Sequence, residues 1–91
     1  MTSLTRIFSS KAQTRVLQYL LDHRGRLYNQ AGLSRLLDLS PSTIARIMIP
    51  LIEENIINFE QLSGQMKIIA LNEESEKTTA LIDFYDRIKN L

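Results

Sequence analysis

The segment LSPSTIARIMIPLIEENII, residues 39–57, constrains the fold of this chain more than any other stretch. Ser40 followed by Pro41 marks a helix start, because a serine hydroxyl caps free backbone N–H groups and proline at the first helical position loses no hydrogen bond. At about 100° per residue, Ile44, Met48 and Leu51 share one face of this helix. The other side carries Ser42, Arg46, Ile49 and Glu53, with Thr43 and Pro50 beside them. The helix therefore has an apolar side and a mixed side that could meet a ligand.

Two further helices are predicted upstream. The first should begin near Lys11, where Ser10 and Gln13 match a capping box, and end at Gly25. Residues 26–28 suit a brief strand. Asn29 is a good N-cap for the next helix, roughly residues 30–37, which is followed by a tight turn at residues 38–39. The buried side of that helix is predicted to consist of Ala31, Leu33, Leu36 and Leu37.

Downstream, the pattern changes to strands and then back to a helix. Residues 56–62 and 66–72 are rich in β-branched and aromatic residues and flank the Gly64 turn, which predicts a β-hairpin. Asn72 is predicted to cap a last helix over residues 73–90. Its apolar stripe has the spacing of one helix face and comprises Leu81, Phe84, Tyr85, Ile88 and Leu91. The chain is therefore expected to be α+β and mainly helical.

Charge is distributed unevenly along the 91 residues, although the net charge is only +1. Residues 1–52 contain seven Lys or Arg and two Asp or Glu, a net charge of +5, whereas residues 53–91 contain four and eight, a net charge of −4. Such asymmetry indicates a region that faces a polyanion, although solvated charges scattered by chance would give the same totals.

Length and composition argue against several classes of protein. No apolar run reaches the roughly 20 residues that span a bilayer, and the first residues, MTSLTRIFSSK, lack the features of a signal peptide. We therefore expect one small cytoplasmic domain that does not bind membranes. The chain has no cysteine, so thiolate metal sites are excluded. His23, the only histidine, is expected to cap its helix or face solvent. We predict no enzyme activity, metal or cofactor.

The segment from Tyr28 to Ile57, YNQAGLSRLLDLSPSTIARIMIPLIEENII, resembles the helix-turn-helix of winged-helix transcriptional regulators, most nearly the MarR and ArsR groups and their small archaeal relatives. RIFSSKAQTRVLQYLLDHRG resembles their first helix, and KTTALIDFYDRIKNL their C-terminal dimerisation helix. The chain departs from the family pattern at Asp38 and Asn55, where glycine is frequent, and at Ile49, where a polar residue is usual. Asp and Asn tolerate a positive φ better than most residues, so the fold should survive.

The resemblance implies a winged-helix unit over residues 1–72 and a C-terminal dimerisation helix over residues 73–91 of the same compact domain. The expected function is sequence-specific binding of double-stranded DNA as a homodimeric transcriptional regulator. The recognition helix, about residues 41–54, would enter the major groove, and the hairpin wing, about residues 56–71, would touch the backbone or the minor groove. A small-molecule effector stays open.

The predicted DNA-binding residues follow from this placement. Arg46 can pair with guanine, and Ile49 can touch a thymine methyl. The full set is Ser40, Ser42, Thr43, Arg46, Ile49, Arg35, Arg26, Gln65 and Lys67. The predicted dimer interface is Leu4, Ile7, Phe8, Leu81, Phe84, Tyr85, Ile88 and Leu91. The alternative is a protein-interaction module in which Ile49 and Pro50 form an apolar docking patch.

Overall fold

The elements of the fold appear in the predicted order. The structure, a computed structural model, describes residues 6–61 and 67–91. Within these residues the chain forms α1 (Lys11–Asp22), β1 (Tyr28–Asn29), α2 (Gln30–Leu37), α3 (Pro41–Glu53), β2 (Ile57–Gln61), β3 (Lys67–Leu71) and α4 (Glu76–Lys89). The prediction of a mainly helical α+β fold with a hairpin after the third helix is confirmed.

The strands form one antiparallel sheet in the order β1-β3-β2. The central strand β3 pairs with β2 from Ile57 opposite Leu71 to Gln61 opposite Lys67. It also pairs with β1, where Tyr28 lies opposite Ile69. The predicted brief strand is thus present, but it covers Tyr28–Asn29 rather than residues 26–28. The tip of the predicted hairpin lies outside the described residues.

One hydrophobic core joins α1, α2, α3 and the sheet. Burial of α3 follows the predicted face, with Ile44, Ile47, Met48 and Leu51 all buried. The other fully buried apolar side chains come from each neighbouring element and are Val16, Leu17, Leu20, Leu33, Ile56 and Ile69. The sheet and two helices therefore support α3 from behind.

The predicted buried side of α2 is partly wrong. Leu33 and Leu37 are buried, but Ala31 is exposed and Leu36 is 58% exposed. The third buried residue is Ser34, whose hydroxyl donates a hydrogen bond to the Leu39 carbonyl. Because this bond satisfies the hydroxyl, a small polar side chain can pack where α2 closely approaches the core.

The cap at the N-terminus of α2 explains why Gly32 lies inside a helix, where glycine is unfavourable. Asn29 caps α2, and its Oδ1 accepts a hydrogen bond from the Gly32 backbone N–H at 2.6 Å. A Cβ on Gly32 would lie 3.0 Å from that oxygen. Glycine therefore allows the cap to approach closely, at a cost of roughly 0.5–1 kcal/mol in helix propensity.

The predicted capping box at α1 is only half formed. Ser10 Oγ accepts from the Gln13 backbone N–H at 3.1 Å, as predicted. The Gln13 side chain does not reach back to Ser10. It is buried and donates to the carbonyls of Arg6 and of Ile7, the latter at 2.7 Å, while it accepts from Ser9 at 3.0 Å. Gln13 thus fastens the turn before α1 to that helix.

Residues with positive φ lie at the C-terminal ends of α2 and α3. Asp38 and Asn55 have φ of 54° and 63°, so both predicted left-handed positions are confirmed. After α3, Asn55 N–H donates to Ile52 at 3.0 Å and Ile56 N–H to Leu51 at 2.9 Å, the paired bonds that close such a helix end.

The end of α1 differs from its prediction. The helix stops at Asp22, and Gly25, with φ of 83°, lies in the following loop. His23 caps the helix, as predicted. Its backbone N–H donates to the Tyr19 carbonyl at 3.1 Å, and its ring stacks on the Tyr19 ring with centroids 4.2 Å apart.

The last helix begins three residues later than predicted, at Glu76. Asn72 does not cap it, because its Oδ1 accepts from Glu74 N–H at 3.3 Å and so stabilises a turn before the helix. In α4 only Thr78 and Leu81 are buried. Most of α4 therefore lies on the surface of the domain.

Candidate nucleic-acid interface

The outward side of α3 is the candidate interface. Ser42 and Arg46 are exposed, and the Ile49 side chain is 55% exposed. Pro50 is only half-buried, and α3 continues through it to Glu53. Because the opposite side of α3 belongs to the core, this face projects from the domain on a fixed support. It presents one apolar residue beside a cation and a hydroxyl, which is a poor docking patch for an apolar partner.

The hydroxyl groups at the start of α3 contact one another. Ser40 Oγ accepts from Thr43 N–H at 3.1 Å, which caps the helix as predicted. It also lies 3.2 Å from Ser42 Oγ and donates to Thr43 Oγ1 at 2.8 Å. Ser42 is exposed and Thr43 is half-buried. The first turn of α3 thus presents a cluster of hydroxyls whose free lone pairs and protons can meet a polar ligand.

The three predicted arginines are all exposed. Arg26 follows the loop after α1, Arg35 lies on α2, and Arg46 lies on α3. Within residues 6–61 and 67–91, no ion pair involves any of these three guanidinium groups. By contrast, Arg24 contacts Asp86 at 3.2 Å. Arg26, Arg35 and Arg46 are therefore available to bind an external anion.

One cation near the interface escaped the sequence analysis. Arg15 on α1 is exposed, and its Nη2 donates to the Leu37 carbonyl at 2.8 Å. A cation at this place stabilises the C-terminus of α2, where the helix dipole is negative. It also adds positive charge beside the turn that leads to Ser40. Its exposed position four residues after Lys11 was the available signal, but its partner lies 22 residues away.

The acidic end of α3 is neutralised by partners from both ends of the chain. Arg6 forms hydrogen bonds with Glu53 and, at 2.9 Å, with Glu54. Lys77 contacts the other oxygen of Glu54 at 2.6 Å. The hydrogen bond to Glu53 raises the pKa of Arg6 above its ordinary value. These contacts reduce the repulsion that Glu53 would exert on an approaching anion.

The described part of the wing carries one cation, Lys67. Lys67 opens β3 and is half-buried, opposite the exposed Gln61. Gln65 lies outside the described residues. The outer surface of the sheet carries Leu27, which is 71% exposed, and a shallow depression shared with Ile68 and Ala70.

The predicted dimer surface divides into two groups. Phe8, Phe84, Ile88 and Leu91 are exposed large apolar side chains. Ile7 and Leu81 are buried in the core of the chain itself, which leaves them little surface to offer a second copy. Their apolar spacing was correctly recognised, but it serves packing within the domain. Leu4 lies outside the described residues.

Tyr85 has a polar role as well as an apolar one. It is half-buried, and its hydroxyl donates to Asp22 Oδ1 at 2.5 Å. This hydrogen bond lowers the pKa of Asp22 and raises the pKa of Tyr85. Lys89 approaches the same carboxylate oxygen at 3.4 Å. The far end of α4 is therefore joined to α1 by polar contacts.

Other kinds of site find no support in the described part of the chain. No three His, Asp or Glu side chains there lie close enough together to hold a metal ion. None of its helices is both long and apolar enough to cross a membrane.

Solved structures of known proteins share this architecture. HlyU from Vibrio cholerae superposes with a TM-score of 0.73 at 21% identity, covering 98% of this chain and 90% of HlyU. The chain has the winged-helix fold. In this fold α2 and α3 are the helix-turn-helix, and the β2–β3 hairpin is the wing.

Two other solved structures are similar to this chain in fold. A possible transcriptional regulator from Methanosarcina mazei gives a TM-score of 0.66 at 22% identity, covering 97% of this chain and 81% of that one. MepR from Staphylococcus aureus, in a complex with DNA, gives 0.66 at 19% identity, covering 96% and 73%. No family model matches the sequence, and no curated protein matches it at the sequence level.

Proposed function

We propose that this winged helix is a homodimeric transcriptional regulator that binds double-stranded DNA. The observation that carries the proposal is the outward face of α3. Arg46 is exposed and without an ion pair among the described residues, and it stands on a helix whose other side is fixed by Ile44, Met48 and Leu51. A helix with this arrangement can enter a major groove without rearranging the domain.

The residues on this face suit base edges. The Arg46 guanidinium can donate two parallel hydrogen bonds to O6 and N7 of guanine. Ile49 lies three residues further on the same side of α3, where its exposed methyl groups can contact the methyl of a thymine. Ser42 and Thr43 can donate to or accept from a base or a phosphate. The expected half-site therefore contains guanine close to thymine.

Phosphate contacts would come from the cations around α3. Arg35 and Arg26 were predicted for this role from the sequence, and Arg15 joins them because it stands beside the turn before Ser40. Lys67 and, outside the described residues, Gln65 are the candidates on the wing. Such contacts set the affinity and the register of the protein on the duplex, but they do not read its sequence.

A homodimer would place two copies of α3 on one face of the duplex. The proposed interface consists of the exposed apolar residues Phe84 and Ile88 on α4, Leu91 beyond its end, and Phe8. Large apolar side chains that are exposed in one chain are stabilised when a second copy covers them. Two reading helices about 34 Å apart would meet successive major grooves and would require a roughly palindromic site.

The proposal is tested by titrating random-sequence duplex DNA at low and high salt. Each released counterion steepens the salt dependence, with a slope of about −0.9 per phosphate contact on a double logarithmic scale. We expect binding at low salt that weakens steeply as salt rises. Negligible binding at both concentrations would contradict the proposal.

A further inference from the structure

Two adjacent glutamates close the recognition helix, where a negative charge is unfavourable. Glu53 is the last residue of α3 and Glu54 is its C-cap. The helix dipole is negative at this end, so each carboxylate is repelled. The Glu54 side chain is also only 12% exposed, so its charge has lost most of its water. A position that breaks a local rule and is compensated elsewhere is a candidate for a functional role.

Each oxygen of the Glu54 carboxylate contacts a cation from a different end of the chain. Oε2 accepts from Arg6 Nε at 2.9 Å, and Oε1 accepts from Lys77 Nζ at 2.6 Å. Arg6 belongs to the turn that Gln13 fastens to α1, and Lys77 belongs to the first turn of α4. Glu54 therefore joins the end of α3 to residues 48 positions before it and 23 positions after it.

Within residues 6–61 and 67–91, one other side chain of α4 forms hydrogen bonds next to the end of α3. Thr78, fully buried, donates to the carbonyls of Asn55 at 3.2 Å and Ile56 at 3.3 Å. Leu81 is buried in the core, and Ile82 and Tyr85 pack against it while partly exposed. Asp22 holds the far end of α4 through Tyr85 and Lys89, so the contacts of Glu54 set the direction of α4 at the end that lies next to α3.

We propose that Glu54 is a positioning residue for DNA recognition, fixing the angle between the recognition helix and α4 through Arg6 and Lys77. This inference rests on the proposed function, because α4 is there the dimerisation helix. In a dimer built on α4, that angle sets the distance between the two copies of α3. Glu54 then determines which spacing of half-sites the protein accepts.

The angle can be measured without DNA. The chain has no cysteine, so Ala45→Cys on α3 and Asp83→Cys on α4 give two unique spin-label positions, both exposed. Dilution with unlabelled chain isolates the distance within one copy. We expect one narrow distance distribution in the otherwise unchanged protein and loss of that narrow peak in Glu54→Gln. The control Glu73→Gln removes the same charge from an exposed side chain and should keep the peak.

A second variant guards against misfolding of Glu54→Gln. Lys77→Gln changes an exposed residue, removes only the link to α4, and should also broaden the distribution. If both variants keep the narrow peak of the parent protein, Glu54 does not position α4 and the inference is wrong.

The consequence for DNA is measured by selecting bound duplexes from a random pool. The parent protein should enrich paired half-sites at one spacing, whereas Glu54→Gln should enrich the same half-sites at several spacings. The same single spacing in both would overturn the inference and leave the proposed function intact. Enrichment of no duplex by either protein would overturn the proposed function, while the spin-label distances would still decide whether Glu54 holds α4.

Discussion

Arg46 carries most of the proposed specificity because it is a cation on a rigid support. Ile44 and Met48, two residues before and after it on the opposite side of α3, are fully buried and attach the helix to the core. The planar fork of a guanidinium is itself pre-organised, so less entropy is lost for each hydrogen bond than a lysine would lose.

Replacement of Arg46 by alanine tests this role. We expect Arg46→Ala to weaken binding to the selected site by about 1–3 kcal/mol and to relax the preference at one base pair. The measurement is an affinity titration on the parent site and on sites with that pair exchanged. Arg87→Ala, which removes an equal charge from α4, is the control and should preserve the preference. An unchanged base preference in Arg46→Ala would remove Arg46 from the reading set.

The contact between Asn29 and Gly32 leads to a prediction on stability. A Cβ on Gly32 approaches the Asn29 cap oxygen to 3.0 Å, so the helix propensity gained in Gly32→Ala is opposed by a disturbed cap. In an Asn29→Ala background the opposing oxygen is absent. We expect Gly32→Ala to raise the free energy of unfolding by about 0.5–1 kcal/mol there and by less in the parent protein. Denaturant unfolding of the four proteins measures both values, and equal gains would exclude the coupling.

At the scale of elements, sequence periodicity predicted the features that are determined by residues close together in the sequence. The buried face of α3, the left-handed residues Asp38 and Asn55, and the hairpin all follow from local spacing and backbone preferences, and all are confirmed. The exposure of Arg46 and Ile49 follows from the same spacing.

Features that depend on distant contacts were not predictable in this way. Ser34 replaces Leu36 on the buried side of α2 because its hydroxyl finds the Leu39 carbonyl. The Gln13 side chain donates hydrogen bonds to carbonyls of the turn before α1 instead of capping the start of that helix. The partners of Glu54 lie 48 and 23 residues away. No periodicity within a helix reports such pairs.

The contact between α1 and α4 should respond to pH. The hydrogen bond from Tyr85 lowers the pKa of Asp22, so the Asp22 carboxylate binds a proton less tightly in the folded state than in the unfolded state. The stabilisation is therefore complete above the ordinary aspartate pKa of about 4 and is lost as pH falls below it. We expect the free energy of unfolding to fall as the pH is lowered from 5, and to fall more in the parent protein than in Tyr85→Phe. Denaturant titrations at each pH measure this difference.

A variant of the acceptor separates this effect from general acid unfolding. In Asp22→Asn there is no carboxylate for Tyr85 to stabilise. Tyr85→Phe should then produce no change in acid sensitivity. A persistent difference would place the titrating group elsewhere. Because Asp22 and Tyr85 are not deeply buried, solvent screening should keep the effect modest.

At the scale of the whole molecule, the exposed apolar surface of α4 is the proposed dimer interface. In Phe84→Glu a charge would replace a side chain that is 58% exposed in one chain and covered in the proposed dimer. We expect sedimentation to show monomers for Phe84→Glu and dimers for the parent protein, because an unpaired charge is costly inside an interface. Thr79→Glu, which adds the same charge elsewhere on α4, should stay dimeric. Dimers of Phe84→Glu would exclude this surface.

It stays a prediction that residues 1–72 bind DNA and that residues 73–91 join two copies. The structure adds a physical connection between these parts, through Glu54 near the start of α4 and Asp22 near its end. Changes at one part can therefore alter the geometry of the other.

The buried amide of Gln13 bears on how this protein can be shortened or tagged. Trimming the amino terminus past Ile7 would strip that amide of the carbonyls of Arg6 and Ile7 and would withdraw the guanidinium that covers the Glu53 carboxylate. A trimmed version would carry an extra uncovered negative group next to the proposed DNA-binding surface. Expression variants should therefore begin upstream of Arg6, with any affinity tag attached through a linker ahead of it.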